Sequence, residues 1–307
     1  MTAGWVAGTV RARAMNSRRL GAAGARALAA SPSLADALDT LSTTPYGHDV
    51  RPDQTLAQAQ RAVTETLLWD LRVFAGWLPR EGGDQLRVLA GWFEVADVDD
   101  MLREMSGHTV PPRYHLGTLA TAGNRLDDAR SPAELRAVLT ASPWGDPGGD
   151  SPHEMGTALR LSWAERIVAA VPPARPWALA GAALLVARVL FVAEKSLPDA
   201  AAASARRLLG AAAPQARSLP EFVGTLPRDA RLAFDGVERP DDLWRAEARW
   251  WSRVESDAAA LRRRPRFGPE PVIGTVVTAA VDAWRVIAAL ECAARGGRAL
   301  EDFDAVA

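Results

Sequence analysis

Hydrophobic residues recur every three or four positions along most of the chain. Apolar residues between Leu67 and Leu78 lie on one stripe with this spacing, and similar stripes run through Leu159–Val168 and Val276–Cys292. Such spacing is typical of helices that bury one face. Good helix formers fill these segments, and alternation of β-branched with polar residues is almost absent. The pattern predicts an all-α protein.

A short pattern occurs twice in the chain. Ser33–Gly47 reads SLADALDTLSTTPYG and Ser131–Gly145 reads SPAELRAVLTASPWG. Each copy opens with a serine followed three positions later by an acidic residue, as in a capping box, and each ends in Pro-aromatic-Gly. Ser218–Pro227 (SLPEFVGTLP) is a third, less similar copy that lacks this turn. The repeats predict short capped helices that end in related turns.

Each copy of the pattern follows a longer helical stretch. These stretches are Val10–Leu20, Phe93–Met105 and Ala183–Lys195, and a fourth, Val276–Arg295, closes the chain. The arrangement predicts three similar helical modules in series, the last completed by the closing helix. Their predicted ranges are 1–106, 107–200 and 201–307.

Composition narrows the class of protein further. The chain of 307 residues is 48% hydrophobic and 24% charged, which is ordinary for a globular protein, and its net charge of −1 gives no overall attraction to nucleic acid or anionic lipid. Its single cysteine, Cys292, excludes an internal disulfide and suits a reducing cytosol. The most membrane-like stretch, Trp177–Ala193, contains Arg188 and is predicted to be a core helix and not a membrane span.

Three aspartates form the strongest candidate for catalysis. Asp97, Asp99 and Asp100 (DVDD) have the spacing with which some terpene cyclases place a general acid, and carboxylates also suit magnesium. The alternative is structural, because acidic residues in the first turn of a helix interact favourably with its dipole. The histidines are scattered, and neither a GxGxxG motif nor a phosphate-binding loop is present. We therefore expect no active site, cofactor or metal.

Several segments, taken in order, resemble one family. They are Val10–Leu20, Thr44–Gly47, Leu67–Pro79, Trp92–Met105, Leu116–Leu119, Ser142–Gly145 and Pro265–Val272 (PRFGPEPV). Their order and spacing resemble the central-stalk socket family of the rotary ATPases, which is designated C in the archaeal (A-type) enzymes and d in the vacuolar (V-type) enzymes. The chain departs from that family at its start, where Trp5 precedes Ala-Gly-Thr, and in its scarcity of lysine, since Lys195 is the single one.

The resemblance implies both a fold and a function. Members of the family are funnels of three helical modules in a pseudo-threefold arrangement, bound to the cytoplasmic face of the membrane. They act as a socket that couples the rotor shaft to the membrane proteolipid ring during ATP-linked proton or sodium transport. They are peripheral proteins without a membrane span, catalysis or a cofactor of their own.

Two turns are the candidate partner-binding residues under this interpretation. They are Pro45, Tyr46 and Gly47 in the first copy of the repeat, and Pro143, Trp144 and Gly145 in the second. We expect them to position the short helices around the socket. A helical-repeat scaffold with another partner, or a terpene-cyclase-like enzyme that uses the DVDD cluster, are the alternative functions.

Overall fold

The computed structural model describes residues 3–298 and 303, and in this part of the chain every regular element is helical. The all-α prediction is confirmed. The α-helices are α1 (Ala3–Asn16), α2 (Gly21–Ala29), α3 (Leu34–Ser42), α4 (Leu56–Ala75), α5 (Arg80–Leu89), α6 (Gly91–Met105), α7 (Pro132–Thr140), α8 (Pro152–Ala170), α9 (Arg175–Ala187), α10 (Asp199–Leu209), α11 (Leu219–Thr225), α12 (Arg228–Arg231), α13 (Leu243–Arg262) and α14 (Pro269–Ala294). A π-helical turn, Arg188–Val192, continues α9. Short 3₁₀ helices cover Pro45–His48, Gly117–Leu119, Gly123–Asp128, Pro172–Ala174, Ala213–Gln215, Leu232–Phe234 and Pro240–Asp242.

Serine caps the short helix in all three copies of the repeat. The side chains of Ser33, Ser131 and Ser218 accept hydrogen bonds from backbone N–H groups three residues later. This half of the predicted capping box is confirmed. The reciprocal bond differs from the prediction, because Glu134 and Glu221 accept from the residue before the cap serine.

Two predicted helix positions were wrong. The stretch Val10–Leu20 is not one helix, because α1 ends at Asn16 and α2 begins at Gly21 after a turn. Gly21, the first residue of α2, has φ +75°, in the left-handed region where glycine carries no steric penalty. The DVDD aspartates lie in the middle of α6 and not in its first turn, so the helix dipole does not explain them.

The described residues form two compact units. The terminal unit comprises the residues up to Gly83 and those from Trp251 onward. Its core combines α2, α3, α4 and α14, and it includes the fully buried side chains of Leu28, Leu38 and Leu41. The N- and C-terminal parts of the chain therefore fold together.

The central unit comprises Asp84–Trp250. One of its cores combines α6, α7 and α8, with Leu135 and Leu139 of α7 fully buried. Helix α9 packs against α8, α10 and α12. The three predicted modules divide the chain by sequence similarity and the two units divide it by contact, so the three-module division stays a prediction.

Two described helices are long and apolar enough to cross a membrane. In Pro172–Val192 and Pro269–Ala294, 56% and 67% of the apolar window is buried inside the protein. Trp177 and Ala183, within the stretch predicted to be a core helix, are both buried. Burial of this extent is what the core helix of a globular protein shows.

Gly274 of α14 allows a close approach of α13 within the terminal unit. A methyl group there would lie 2.6 Å from the carbonyl oxygen of Ala258, which cannot move without shifting the helix backbone. We expect Gly274→Ala to lower the free energy of unfolding by about 1–3 kcal/mol.

Gly83→Ala is the matched control for this prediction, measured by chemical denaturation of both variants. Gly83 lies inside α5 with no atom within 4 Å of the added methyl group, so the helix propensity of alanine should stabilise it by up to about 1 kcal/mol. Equal stability of the two variants would contradict the close approach at Gly274.

Candidate functional site

The first predicted turn, Pro45-Tyr46-Gly47, is held from inside the terminal unit. Thr44 accepts a hydrogen bond from the Tyr46 backbone N–H at 3.2 Å and donates to the Leu41 carbonyl at 2.6 Å. The Tyr46 ring is buried, and its hydroxyl donates to Asp282 at 2.9 Å. At Gly47, a Cβ atom would lie 1.9 Å from the Ser42 carbonyl oxygen. The turn therefore tolerates only glycine at this position.

Asp282 of α14 joins three parts of the terminal unit. Its carboxylate accepts the backbone N–H groups of Leu20 and Gly21 at 3.1 and 2.7 Å, so it caps the start of α2 as well as binding Tyr46. The side chain is buried. Burial and the Asp282 carboxylate together raise the pKa of the Tyr46 hydroxyl well above its ordinary value. Tyr46 thus remains a proton donor.

The second predicted turn, Pro143-Trp144-Gly145, repeats this arrangement in the central unit. Ser142 accepts from the Trp144 backbone N–H at 3.2 Å and donates to the Leu139 carbonyl at 2.7 Å, as Thr44 does in the first copy. The Trp144 ring is buried, and its Nε1 donates to Glu94 at 2.6 Å. Gly145 adopts φ +79°, which suits glycine.

Glu94 of α6 corresponds to Asp282 of α14. Its buried carboxylate accepts the backbone N–H groups of Thr121, Ala122 and Gly123 at 3.0–3.2 Å, at the start of the 3₁₀ helix before α7. In both copies, a carboxylate on a long helix accepts hydrogen bonds from two sources. One is the set of backbone N–H groups at the start of the helical segment that precedes the short helix, and the other is the aromatic side chain of the turn. We call each of these arrangements a carboxylate anchor.

The third copy of the repeat has a different interior. Arg231 occupies the position that matches Tyr46 and Trp144, and its guanidinium donates to the carbonyl oxygens of Gly224 and Leu226. Phe222 of α11 makes edge-to-face contacts with Phe191 and Phe234, at centroid distances of 5.8 and 6.1 Å. The loss of the Pro-aromatic-Gly turn in the sequence therefore coincides with the loss of the aromatic donor.

The DVDD aspartates each have a separate contact. Asp97 accepts the Tyr114 backbone N–H at 3.0 Å, Asp99 pairs with Arg160 at 2.5 Å, and Asp100 pairs with Arg103 at 3.2 Å. The residues that the structure describes contain no group of three histidine, cysteine, aspartate or glutamate side chains placed to hold a metal ion.

A cleft in the terminal unit was not predicted. Its empty space is about 460 Å³, part of it open to solvent. It is lined by Met15, Asn16, Arg18, Arg19, Pro45, Tyr46, Thr66, Leu67, Asp70, Thr275, Ala279 and Asp282. Burial raises the pKa of the Asp70 carboxyl, an effect that the charges of Arg18 and Arg11 partly offset. The anchor at Asp282 thus forms one wall of a polar opening.

The two anchors left a weak signal in the sequence. Asp282 and Glu94 are charged residues within otherwise apolar helical stripes, which is a signal for a buried polar contact. Their partners were not predictable, because Leu20 lies 262 positions before Asp282. Comparison of the chain with models of known protein families gives no match, and comparison with curated proteins gives none either.

Tyr46→Phe removes one donor from the Asp282 anchor while keeping the ring. We expect a loss of about 1.5–3 kcal/mol in the free energy of unfolding at neutral pH, because the bond is made to a buried carboxylate. The folded pKa of Tyr46 is raised, so its contribution is complete below about pH 10 and declines as the unfolded chain ionises above it. Denaturation of both proteins across this pH range measures the difference, and a difference independent of pH would contradict the assignment.

Glu94→Gln tests the second anchor. The amide nitrogen of glutamine cannot accept hydrogen bonds, so at least one of the buried donors around position 94 loses its partner. We expect a loss of about 2–4 kcal/mol. Glu104→Gln is the control, because Glu104 lies in the same helix with 61% of its side chain exposed. The two variants should differ in urea midpoint, and similar midpoints would argue against the anchor.

Proposed function

We propose that this chain is a non-catalytic central-stalk component of a V/A-type rotary ATPase. In this role it is a socket on the cytoplasmic face of the membrane that couples the rotor shaft to the proteolipid ring. The observation that carries the proposal is the duplicated carboxylate anchor. The first two copies of the sequence repeat have the same arrangement of helix, turn and buried carboxylate. A repeated unit suits a part that works around a rotation axis.

The order of the resembling segments supports the same family. Trp92–Met105 falls within α6, and the PRFGPEPV segment leads directly into α14, whose first residue is Pro269. The two segments therefore belong to the helices that carry Glu94 and Asp282. In the proposed socket, these helices hold the first two copies of the repeat, and Val10–Leu20 lies beside the first anchor.

A funnel of three modules in pseudo-threefold arrangement is part of the proposal. The support is that Ser33, Ser131 and Ser218 cap equivalent short helices, α3, α7 and α11. The third module would be the divergent one, with phenylalanine packing in place of an anchor.

The two predicted turns would shape the socket from within. Because the rings of Tyr46 and Trp144 are buried, neither is free to contact a partner directly. The exposed surfaces of α3 and α7, such as Asp39 and Thr140, would meet the partner instead. The turns would fix the direction in which these short helices project.

Purification of the tagged chain from the native membranes tests the proposal. The expected result is co-purification of rotor shaft and proteolipid proteins, identified by mass spectrometry. Glu104→Gln should recover the same proteins, whereas Glu94→Gln should recover fewer of them because α7 loses its fixed position. Recovery of the unmodified chain from intact membranes without any of these proteins would overturn the proposal.

A further inference from the structure

Two arginines at the cleft of the terminal unit have no acidic partner. The side chain of Arg18 makes no hydrogen bond or ion pair with any described residue, and the side chain of Arg19 donates only to the Asn16 carbonyl at 3.2 Å. Both side chains line the cleft. Arginine carries its charge throughout the physiological pH range and presents several N–H groups in one plane. The cleft therefore has guanidinium donors that the described protein does not use.

Two further arginines, Arg262 and Arg263, lie near Arg19. Burial and the charges of Arg19 and Arg263 lower the pKa of Arg262, which shows that the guanidinium groups repel each other. The Nε atom of Arg262 is buried without a hydrogen-bond partner among the described residues. Its Nη1 atom donates to the side-chain oxygen of Asn16, which leaves the Asn16 amide nitrogen as a further donor at the cleft.

The acidic residues of the cleft, Asp70 and Asp282, form no ion pair with Arg18 or Arg19. Asp282 already accepts three hydrogen bonds, from Leu20, Gly21 and Tyr46. Asp70 accepts no hydrogen bond from any described residue and lies beyond ion-pair distance of Arg18. An anion that reached both arginines would therefore find donors without displacing an existing contact.

The other polar groups of the lining already have partners. Thr275 donates to the Pro271 carbonyl at 2.9 Å, and Thr66 donates to Asp49 at 3.0 Å. The available donors are thus the guanidinium groups and one amide, a set that suits an oxyanion. The cleft is partly open to solvent, so a compact anion can reach these donors.

We propose that this cleft binds a compact oxyanion, a phosphate or a carboxylate group, through Arg18, Arg19 and the amide of Asn16. Asp70 lies beside the bound anion and weakens its binding by charge repulsion. This assignment goes beyond the coupling role and does not depend on it, because a free anion can be tested on the isolated chain.

Calorimetric titration of the purified chain with inorganic phosphate, and separately with succinate, tests the site at constant ionic strength. We expect saturable binding of at least one anion, and the preferred anion identifies the phosphate or carboxylate class. The double variant Arg18→Gln/Arg19→Gln should weaken this binding by at least about tenfold. Asp70→Asn should strengthen it by about three- to tenfold, because it removes the opposing charge.

Arg217→Gln is the control variant. It removes one positive charge, against two in the double variant, from an exposed position in the central unit, so anion affinity should be unchanged. Arg18 is exposed, and circular dichroism of each variant confirms that it is folded before titration. The proposal is overturned if neither anion shows saturable binding, or if the cleft variants and Arg217→Gln change the affinity equally.

Discussion

Two buried carboxylates, Asp282 and Glu94, constrain the fold more than any other polar groups described above. A carboxylate removed from water costs several kcal/mol unless hydrogen bonds replace its hydration. Here the replacement comes from backbone N–H groups at the start of a helical segment and from one aromatic side chain. Because those donors belong to separate parts of the chain, none of the parts can move away without leaving a charge unsatisfied. Each anchor thus fixes a long helix, a segment start and a turn together.

The two anchors reach the same result with different side chains. The first uses an aspartate and a phenol, and the second uses a glutamate and an indole. Oxygen and nitrogen donors of this kind share one property, an N–H or O–H group at the end of a flat apolar ring. The ring fills the space between the short helix and the long one, and its polar end reaches the carboxylate. What the two copies have in common is therefore a packing geometry with one satisfied charge, and not a particular pair of residues.

Local features of the fold were predictable from the sequence, and long-range ones were not. The apolar stripes and the three cap serines depend on neighbours within four positions, so the pattern alone predicted α3, α7 and α11. The end of α1 at Asn16 was missed because an arginine-rich stretch continues the helical composition as far as Leu20. The cleft depends on α1, α4 and α14 meeting, which no spacing along the chain reveals.

Asp282 serves the first anchor and also forms a wall of the cleft, and this double position has a consequence for anion binding. Its carboxylate accepts hydrogen bonds from Tyr46 and from the start of α2, and it forms no ion pair with Arg18. A bound anion would add hydrogen bonds from Arg18, Arg19 and Asn16 without replacing any existing bond. Surface ion pairs contribute little and break easily, whereas a buried anchor resists displacement. The proposed anion would therefore bind and leave while the frame around the cleft stays fixed.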